Sequence, residues 1–143
     1  MKKLTNPLFL IMGLVAGFAF TAQAADKQTL CPIMIEDEID TEEFVEYKGV
    51  KVFMCCGTCV KMWDKNPDYF AAVSKEQAPQ LEKVAPKDVK PMKQLFCPVY
   101  TDTRVHPKSP FIEHKGTKVY FAKTRAKSRF EADPAKYEKN LPK

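Results

Sequence analysis

The chain has few of the residues on which most catalytic sites depend. It contains only two histidines among 143 residues, His106 and His114. No acidic residue is paired with a second group in a pattern typical of acid–base catalysis, and no nucleophile has an orienting partner nearby in the sequence. We therefore expect that the protein is not an enzyme.

Blocks of positive charge are also missing. The formal net charge of the whole chain is +5, and the lysines and arginines are scattered among acidic residues. Binding to nucleic acid or to a membrane surface by charge needs basic residues that are clustered. The composition therefore gives no electrostatic reason to expect either partner.

The chain lacks an apolar run long enough to cross a bilayer at its start. The run at 8–20 has 13 residues, whereas a membrane-spanning helix needs about 20. This run follows Lys2 and Lys3 and precedes the small-residue sequence AQA at 22–24, which is the pattern of a secretory signal peptide. We expect cleavage after Ala24, no membrane span in the mature protein, and a periplasmic or secreted location.

Cysteine, in contrast, is abundant. All five cysteines lie in the predicted mature part: Cys31, Cys55, Cys56, Cys59 and Cys97. An odd number of thiols cannot pair completely within one chain, and unreacted thiols do not persist in an oxidising compartment. Metal binding, disulfide bonding and simple packing are the three explanations to weigh.

An internal repeat organises the mature chain. The sequence FVEYKGVKVFM at 44–54 returns as FIEHKGTKVYF at 111–121, a shift of 67 positions, and the Cys-Pro pair at 31–32 returns at 97–98, a shift of 66. Each unit runs from a Cys-Pro turn through a loop and a hairpin to a helix. A chain this short forms at most one modest core or two very small ones, and very small domains usually need a disulfide or a metal to fold.

Local signals predict the same elements in both units. Alternating apolar residues around a Lys-Gly turn predict strands at 44–47, 50–53, 111–114 and 118–121. In the first unit, capping by Gly57-Thr58 predicts a helix that ends at Asn66, and Pro67 predicts the start of a second one. Tyr69, Phe70 and Val73 of this second helix should face inward. In the second unit, the matching helices are predicted from about 124 to 132 and at 134–137.

The segment between the units is rich in proline and lysine. Residues 75–94 therefore predict a linker with at most a short helix, which tethers the units rather than building a core. We expect an α+β protein with a signal peptide at 1–24, a cysteine-containing unit at 25–74, a linker at 75–95 and a second unit at 96–143.

The thiols of the first unit are expected to converge. A hairpin that doubles back can bring Cys55 and Cys59 next to Cys31, and a helix start favours thiolates because its unpaired amides lower the thiol pKa. Neighbouring residues on a strand point to opposite faces, so Cys56 should not reach the same ion as Cys55 unless the chain kinks between them. Three thiolates favour copper(I), whereas a fourth from Cys56 would favour zinc.

The sequence resembles the YHS or TRASH domains, small metal-associated modules found with heavy-metal transport, resistance and sensing proteins. The matching stretches are CPIM at 31–34, VEYKGVKVFMCCGTC at 45–59 and MWDKNPDYF at 62–70, and in the second unit CPV at 97–99, IEHKGTKVYF at 112–121 and RFEADPAKY at 129–137. The resemblance implies two small ββα, treble-clef-like units. It also implies that Cys31, Cys55 and Cys59 are metal ligands, with Cys56 as a companion.

The second unit departs from this pattern at its cysteines. The positions that match Cys55, Cys56 and Cys59 are occupied by Ala122, Lys123 and Ala126. We expect a degenerate copy that is kept for its packing, because Cys97 alone cannot hold a metal ion as the first unit can. The alternative is a shared site in which Cys97 is joined by His106, His114 or the cysteines of the first unit.

Three functions remain open from the sequence. The first is a binder of a thiophilic metal ion, copper(I) before zinc, that acts as carrier, buffer or sensor component beside a metal transporter or another metal-handling protein. Met34, Met54 and Met62 are candidate thioether ligands in such a site, and equally candidates for the core.

The second function is an adaptor in which a metal or a disulfide, such as Cys31 with Cys59 or Cys56 with Cys97, only stabilises the fold. The third is a thiol-disulfide oxidoreductase that uses Cys56 and Cys59. The order of hairpin followed by helix, with no parallel crossover, disfavours this third function.

Overall fold

A computed structural model of the protein describes residues 28–142. The predicted signal peptide at 1–24 lies outside the described residues. Within them the chain forms two antiparallel hairpins, four short α-helices and two 3-10 helices, so the predicted α+β class is confirmed. None of the helices in this part of the chain is long and apolar enough to cross a membrane.

The first hairpin consists of β1 (Asp40–Tyr47) and β2 (Val50–Met54), which pair antiparallel. Lys48 and Gly49 form the turn, with φ of 47° and 82°. A two-residue turn with positive φ at both positions matches the natural twist of the strands, and glycine adopts it without steric cost. The two predicted strands are confirmed, with β1 beginning several residues earlier than expected.

Two helices follow, α1 (Gly57–Trp63) and α2 (Pro67–Val73). The prediction that Gly57-Thr58 caps α1 is wrong: Cys56 is the residue that precedes the helix, in extended conformation at φ −169° and ψ 162°, and its side chain makes no capping hydrogen bond. The helix also ends at Trp63, earlier than predicted. Pro67 begins α2 as expected, since its missing amide hydrogen costs nothing in a first turn.

The second unit repeats this order. Strands β3 (Phe111–His114) and β4 (Thr117–Tyr120) form a hairpin, and helices α3 (Thr124–Ala132) and α4 (Pro134–Tyr137) follow it. These bounds agree with the predicted ones to within one residue.

A buried glutamine makes equivalent hydrogen bonds in each half. Gln28 donates from Nε2 to the Phe53 carbonyl at 2.7 Å and accepts from the Phe53 amide at 3.0 Å. Gln94 does the same with Tyr120, at 2.7 and 2.9 Å. The two halves therefore share one local architecture. The YHS-type, treble-clef-like character of the units stays a prediction.

Each half buries its own apolar cluster. The first contains Trp63 and Phe70, whose rings stack at 6.1 Å between centroids. The second contains Phe121 and Phe130, with centroids 5.3 Å apart. Of the residues predicted to face inward from α2, Tyr69 and Phe70 are buried and Val73 is partly buried.

The segment predicted to be a linker adds to the first cluster. It carries a 3-10 helix (Pro79–Lys83), and Ala78, Leu81 and Ala85 are buried. The prediction of a pure tether is wrong in this respect. Apolar residues spaced three and four positions apart give one buried face, and their burial outweighs the proline- and lysine-rich composition around them.

The two halves meet through their Cys-Pro segments. The first Cys-Pro loop (residues 30–38) is closed by a bridge between Leu30 and Glu38, and the second Cys-Pro loop (residues 96–104) by a bridge between Phe96 and Arg104. A further antiparallel bridge pairs Met34 of the first loop with Thr103 of the second. The cysteine of the first loop is therefore held in a segment that touches both halves.

Candidate metal centre

Three thiols from separate elements meet in the first half. The sulfur atoms of Cys31, Cys55 and Cys59 all lie within 4.8 Å of one another. Cys31 comes from the first Cys-Pro loop, Cys55 follows β2, and Cys59 lies in the first turn of α1. The predicted convergence of these three thiols is confirmed.

The local fold explains how they meet. The hairpin returns the chain to the segment before it, and Gln28 ties that segment to the end of β2 through the backbone of Phe53. The first Cys-Pro loop is closed by a hydrogen bond from the Cys31 amide to the Asp37 carbonyl at 2.8 Å. The loop and the strand end are thus fixed side by side.

Cys56 lies beside this group as well. Its Sγ is 3.8 Å from the Sγ of Cys55 and 3.8 Å from that of Cys59, while the last two are 3.5 Å apart. The strand ends at Met54 and the chain bends at 55–56, so the alternation of strand side chains does not apply. The kink that was required for Cys55 and Cys56 to face the same site is present.

One methionine adds a further sulfur. The thioether of Met34 lies 3.8 Å from the Sγ of Cys55, and this methionine is only partly buried. Met54 and Met62 are buried residues of the first apolar cluster. Met34 is therefore the thioether that is placed beside the thiols.

The group is open on one side. Cys31 and Cys59 have no exposed surface, whereas Cys55 and Cys56 are partly exposed. All five cysteines are free thiols in the structure, so neither the Cys31–Cys59 nor the Cys56–Cys97 disulfide is formed. An ion among the thiols would be reached from solvent past Cys55 and Cys56.

Contacts among the three thiols shift their pKa values in different directions. A hydrogen bond from Cys59 is the main reason that the pKa of Cys31 falls to about 6; burial opposes it, and backbone amides, including that of Ile33 at 3.5 Å, add to it. The pKa of Cys59 is raised by its hydrogen bond to Cys31 and by burial, and that of Cys55 by burial and by the Cys31 charge. One thiolate therefore forms readily, and a cation is needed to bring the others to the thiolate form.

The pKa of Cys56 is lowered by a different balance. Burial works to raise it, but the backbone amides of Cys59 and Thr58 and the neighbouring thiols together outweigh burial. These amides lie in the first turn of α1, where helix amides lack the usual partner four residues earlier and are directed toward the end of the helix. The chain thus favours a thiolate at the open side of the group.

The dimensions of the group fit a sulfur-bound metal ion. With metal–sulfur bonds of about 2.3 Å, sulfur atoms are about 3.8 Å apart in a tetrahedral site and about 4.0 Å apart in a trigonal one. The observed separations are 3.5 and 3.8 Å among Cys55, Cys56 and Cys59 and at most 4.8 Å within the Cys31 group. Shifts of a few tenths of an ångström would suffice for most of these atoms.

The second half has no comparable group. Within residues 28–142, the Cys31 group is the one cluster of three or more candidate ligands. Cys97 is buried in the second apolar cluster, and the idea that this unit is a degenerate copy kept for its packing stays a prediction. The alternative shared site with Cys97 does not form a cluster of this size in this part of the chain.

The two histidines are engaged elsewhere. His106 is buried with its ring 5.2 Å from that of Phe70, and burial together with the charges of Lys65 and Lys108 lowers its pKa to about 4. His114 lies 2.8 Å from a Glu138 carboxylate oxygen. Both positions are explained by packing and ion pairing.

Sequence reasoning missed the residues that hold the loop of Cys31. The guanidinium of Arg104 donates from Nε to the Pro32 carbonyl at 3.0 Å, and the hydroxyl of Ser74 donates to the same oxygen at 3.0 Å. The sequence did contain a sign that Arg104 is special. It occupies the position that Glu38 has in the first copy, so the charge is reversed between the repeats.

Comparison with known proteins gave no match to this chain from any protein-family model, any curated protein or any solved structure. The sulfur cluster is the feature of the chain that bears most directly on its function.

Proposed function

We propose that the protein binds a thiophilic metal ion through the thiolates of Cys31, Cys55 and Cys59. The observation that carries this proposal is the meeting of three thiols from three separate elements within 4.8 Å. Two of them are fully buried, and a buried group of thiols at such distances has the ligand type and size that soft metal ions prefer.

Copper(I) is the first candidate and zinc the second. Sulfur is the donor atom of the group, and the thioether of Met34 beside Cys55 adds a ligand that suits copper(I). The proximity of Cys56 supports zinc instead, since a fourth thiolate would complete a tetrahedral site. The two ions differ in which of these sulfur atoms completes the coordination.

The role that we propose is that of a carrier, buffer or sensor component in metal handling, without catalytic activity. The open side at Cys55 and Cys56 supports ion exchange with a partner, such as a metal transporter or another metal-handling protein. The signal-like N-terminus supports a periplasmic or secreted location, and the resemblance to YHS or TRASH domains supports the same function.

Titration with copper(I) in competition with a chelator tests the binding site. We expect one ion per chain, and we expect that C31S, C55S and C59S each lower the affinity by more than about 100-fold, the upper range for loss of a ligand's supporting group. C97S is the matched control, because it makes the same change at a buried cysteine of the second half. Absence of tight binding by the wild type, or an equal loss in C97S, would contradict the proposal.

Removal of the metal separates a carrier from an adaptor whose ion is structural. A carrier releases its ion to the chelator and keeps its circular dichroism spectrum, whereas a structural site unfolds when it is stripped. We expect the spectrum to be kept.

A second candidate is thiol–disulfide exchange by Cys56 and Cys59. Their sulfur atoms are 3.8 Å apart and two residues separate them at the start of α1, a spacing used by disulfide oxidoreductases. This function predicts turnover with a disulfide substrate and its loss in C56S. Metal binding predicts no such turnover.

A further inference from the structure

The second half keeps only Cys97 of the thiol set, but it still contacts the site. Its Cys-Pro loop lies against the first one, with a hydrogen bond from the Ile35 amide to the Asp102 carbonyl at 3.0 Å and one from the Arg104 amide to the Ile33 carbonyl at 2.9 Å. The bridge between Met34 and Thr103 lies between these bonds. The backbone at Ile33 and Ile35, on the C-terminal side of Cys31, is therefore paired with the second half.

The side chain of Arg104 strengthens this pairing. Only 4 % of the residue is exposed, and its guanidinium donates to the Pro32 carbonyl at 3.0 Å and to Gln77 Oε1 at 2.8 Å. The guanidinium carbon lies over the ring of Phe96, 5.0 Å from the ring centroid. Within residues 28–142 no carboxylate lies within ion-pair distance of Arg104, so its guanidinium donates to oxygen atoms of neutral groups, and the charge of Glu76 acts on it from farther away.

The Pro32 carbonyl is held from two directions. Ser74, which follows α2, donates to it at 3.0 Å, and Arg104 donates from the second half. Because a proline has no amide hydrogen, its carbonyl is the only backbone group by which this residue can be held. The peptide unit between Pro32 and Ile33, one residue after Cys31, is thus fixed by both donors.

The three thiols differ in how much they need such support. Cys55 and Cys59 are four residues apart, and the end of β2 and the first turn of α1 place them. Cys31 lies on a loop with no helix or strand of its own. Its position relative to the other two depends on what packs against that loop.

We propose that the second unit positions the metal site of the first, and that Arg104 is the positioning residue that keeps Cys31 within reach of Cys55 and Cys59. This inference rests on the proposed function. It gives the unit without a thiol cluster a role in metal affinity. The equivalent residue of the first copy, Glu38, is exposed, so it does not hold the second Cys-Pro loop as Arg104 holds the first.

The variant R104M tests the proposal through affinity and through the number of bound thiolates. We expect its copper(I) affinity to fall about 10- to 100-fold, the range typical of residues that orient ligands. In the cobalt(II)-loaded protein, we expect the sulfur-to-cobalt charge-transfer absorption to fall by part of the roughly one third that C31S loses, because the Cys31 thiolate binds only in a fraction of the molecules. R104K should recover part of both, since one ammonium group can still donate to Pro32 but does not reproduce the fork of the guanidinium.

Two controls separate positioning from general destabilisation. R129M makes the same chemical change at an exposed arginine of the second half, which donates to the Tyr100 hydroxyl at 3.1 Å. V119A opens a cavity in the second apolar cluster, where Val119 is 2 % exposed, and should lower the unfolding temperature. We expect both to keep the copper(I) affinity and the cobalt spectrum of the wild type. Full affinity and three thiolates in R104M, or an equal loss in V119A, would overturn the proposal.

Hydrogen exchange on the metal-free protein provides a test that is independent of the metal. We expect the peptide that covers the first Cys-Pro loop, which includes the Ile35 amide, to exchange faster in R104M than in R129M. If the wild type binds no metal ion while this difference is seen, the proposed function fails and the support of the loop by Arg104 stands. If the wild type binds the ion and the exchange is unchanged in R104M, the positioning role is wrong and the metal site stands.

Discussion

The two halves share a hairpin, a helix and a buried glutamine contact, yet among residues 28–142 only the first half carries a thiol cluster. Cys59 is fully buried in the first half, and Ala126, at the matching position, is fully buried in the second. The second half therefore builds the same local arrangement with an apolar side chain where the first has sulfur. The thiol cluster is not needed to form this fold, which favours a chemical role for it over a purely structural one.

The other difference lies in the Cys-Pro loops. Cys31 and Cys97 are equally buried, but the first loop makes contacts with both halves and the second contributes Arg104 to the first. If the two proposals hold, one repeat carries the metal ligands and the other holds one of these ligands in place. The predictions below test this division.

Restoring the thiols to the second half should have the largest effect. In the double variant A122C/A126C, the two new thiols join Cys97 in the arrangement of the first unit, so we expect the copper(I) stoichiometry to rise from one to two ions per chain. A structural thiolate site binds with about 10 kcal/mol or more. Native mass spectrometry reports the count.

The same double variant with C97S is the control and should return to one ion. A double variant that folds but binds a single ion would show that Cys97 is not placed as Cys31 is.

Removal of an aromatic ring from a core should cost far more stability than removal of an exposed ring from a hairpin. We expect F70A to lower the free energy of unfolding by about 3 to 5 kcal/mol, because it leaves a cavity beneath Trp63 and His106. F111A, at a residue that is 44 % exposed, is the matched control and should cost less than about 1 kcal/mol. Urea denaturation measures both, and equal losses would contradict the assignment of the core.

Acid should destabilise the protein through His106. Its folded pKa of about 4 lies below the ordinary value of 6.5, so below pH 6.5 the unfolded chain binds a proton that the folded chain does not. This part of the stability is full above pH 6.5 and is lost as the pH falls toward 4, by about 3 kcal/mol in total. Urea denaturation at pH 7 and pH 4.5 measures the loss.

The variant H106Q should lose this part of the pH dependence, although it is itself less stable than the wild type at pH 7. H114Q, which changes a partly exposed histidine, is the matched control and should retain the pH dependence of the wild type. An unchanged acid-side slope in H106Q would show that another group is responsible.

The smallest effect should come from the lysines that cover exposed rings. Lys51 lies 4.1 Å from the ring centroid of Phe44, and Lys118 lies 4.7 Å from that of Phe111. We expect K51M and K118M each to change the free energy of unfolding by about 0.5 to 1 kcal/mol or less, equally in the two hairpins. Thermal unfolding measures both variants. A large difference between their effects would show that the two hairpins are not equivalent.

The sequence alone determined most of the local structure. The Lys-Gly turns, the alternating strands and the prolines at helix starts act over a few residues, so their signals can be read along the chain. The meeting of Cys31, Cys55 and Cys59 also followed from the sequence, because a hairpin returns the chain to its starting point.

Only the tertiary structure decided how the pieces support one another. Whether Cys55 and Cys56 face the same way depends on the bend at 55–56, where the chain leaves β2 and enters α1. The burial of Leu81 and the reach of Arg104 to Pro32 depend on partners that are far away in the sequence. Contacts between distant residues are selected by the shape and unmet hydrogen bonds of the folded surfaces, and these surfaces exist only once the local elements have formed.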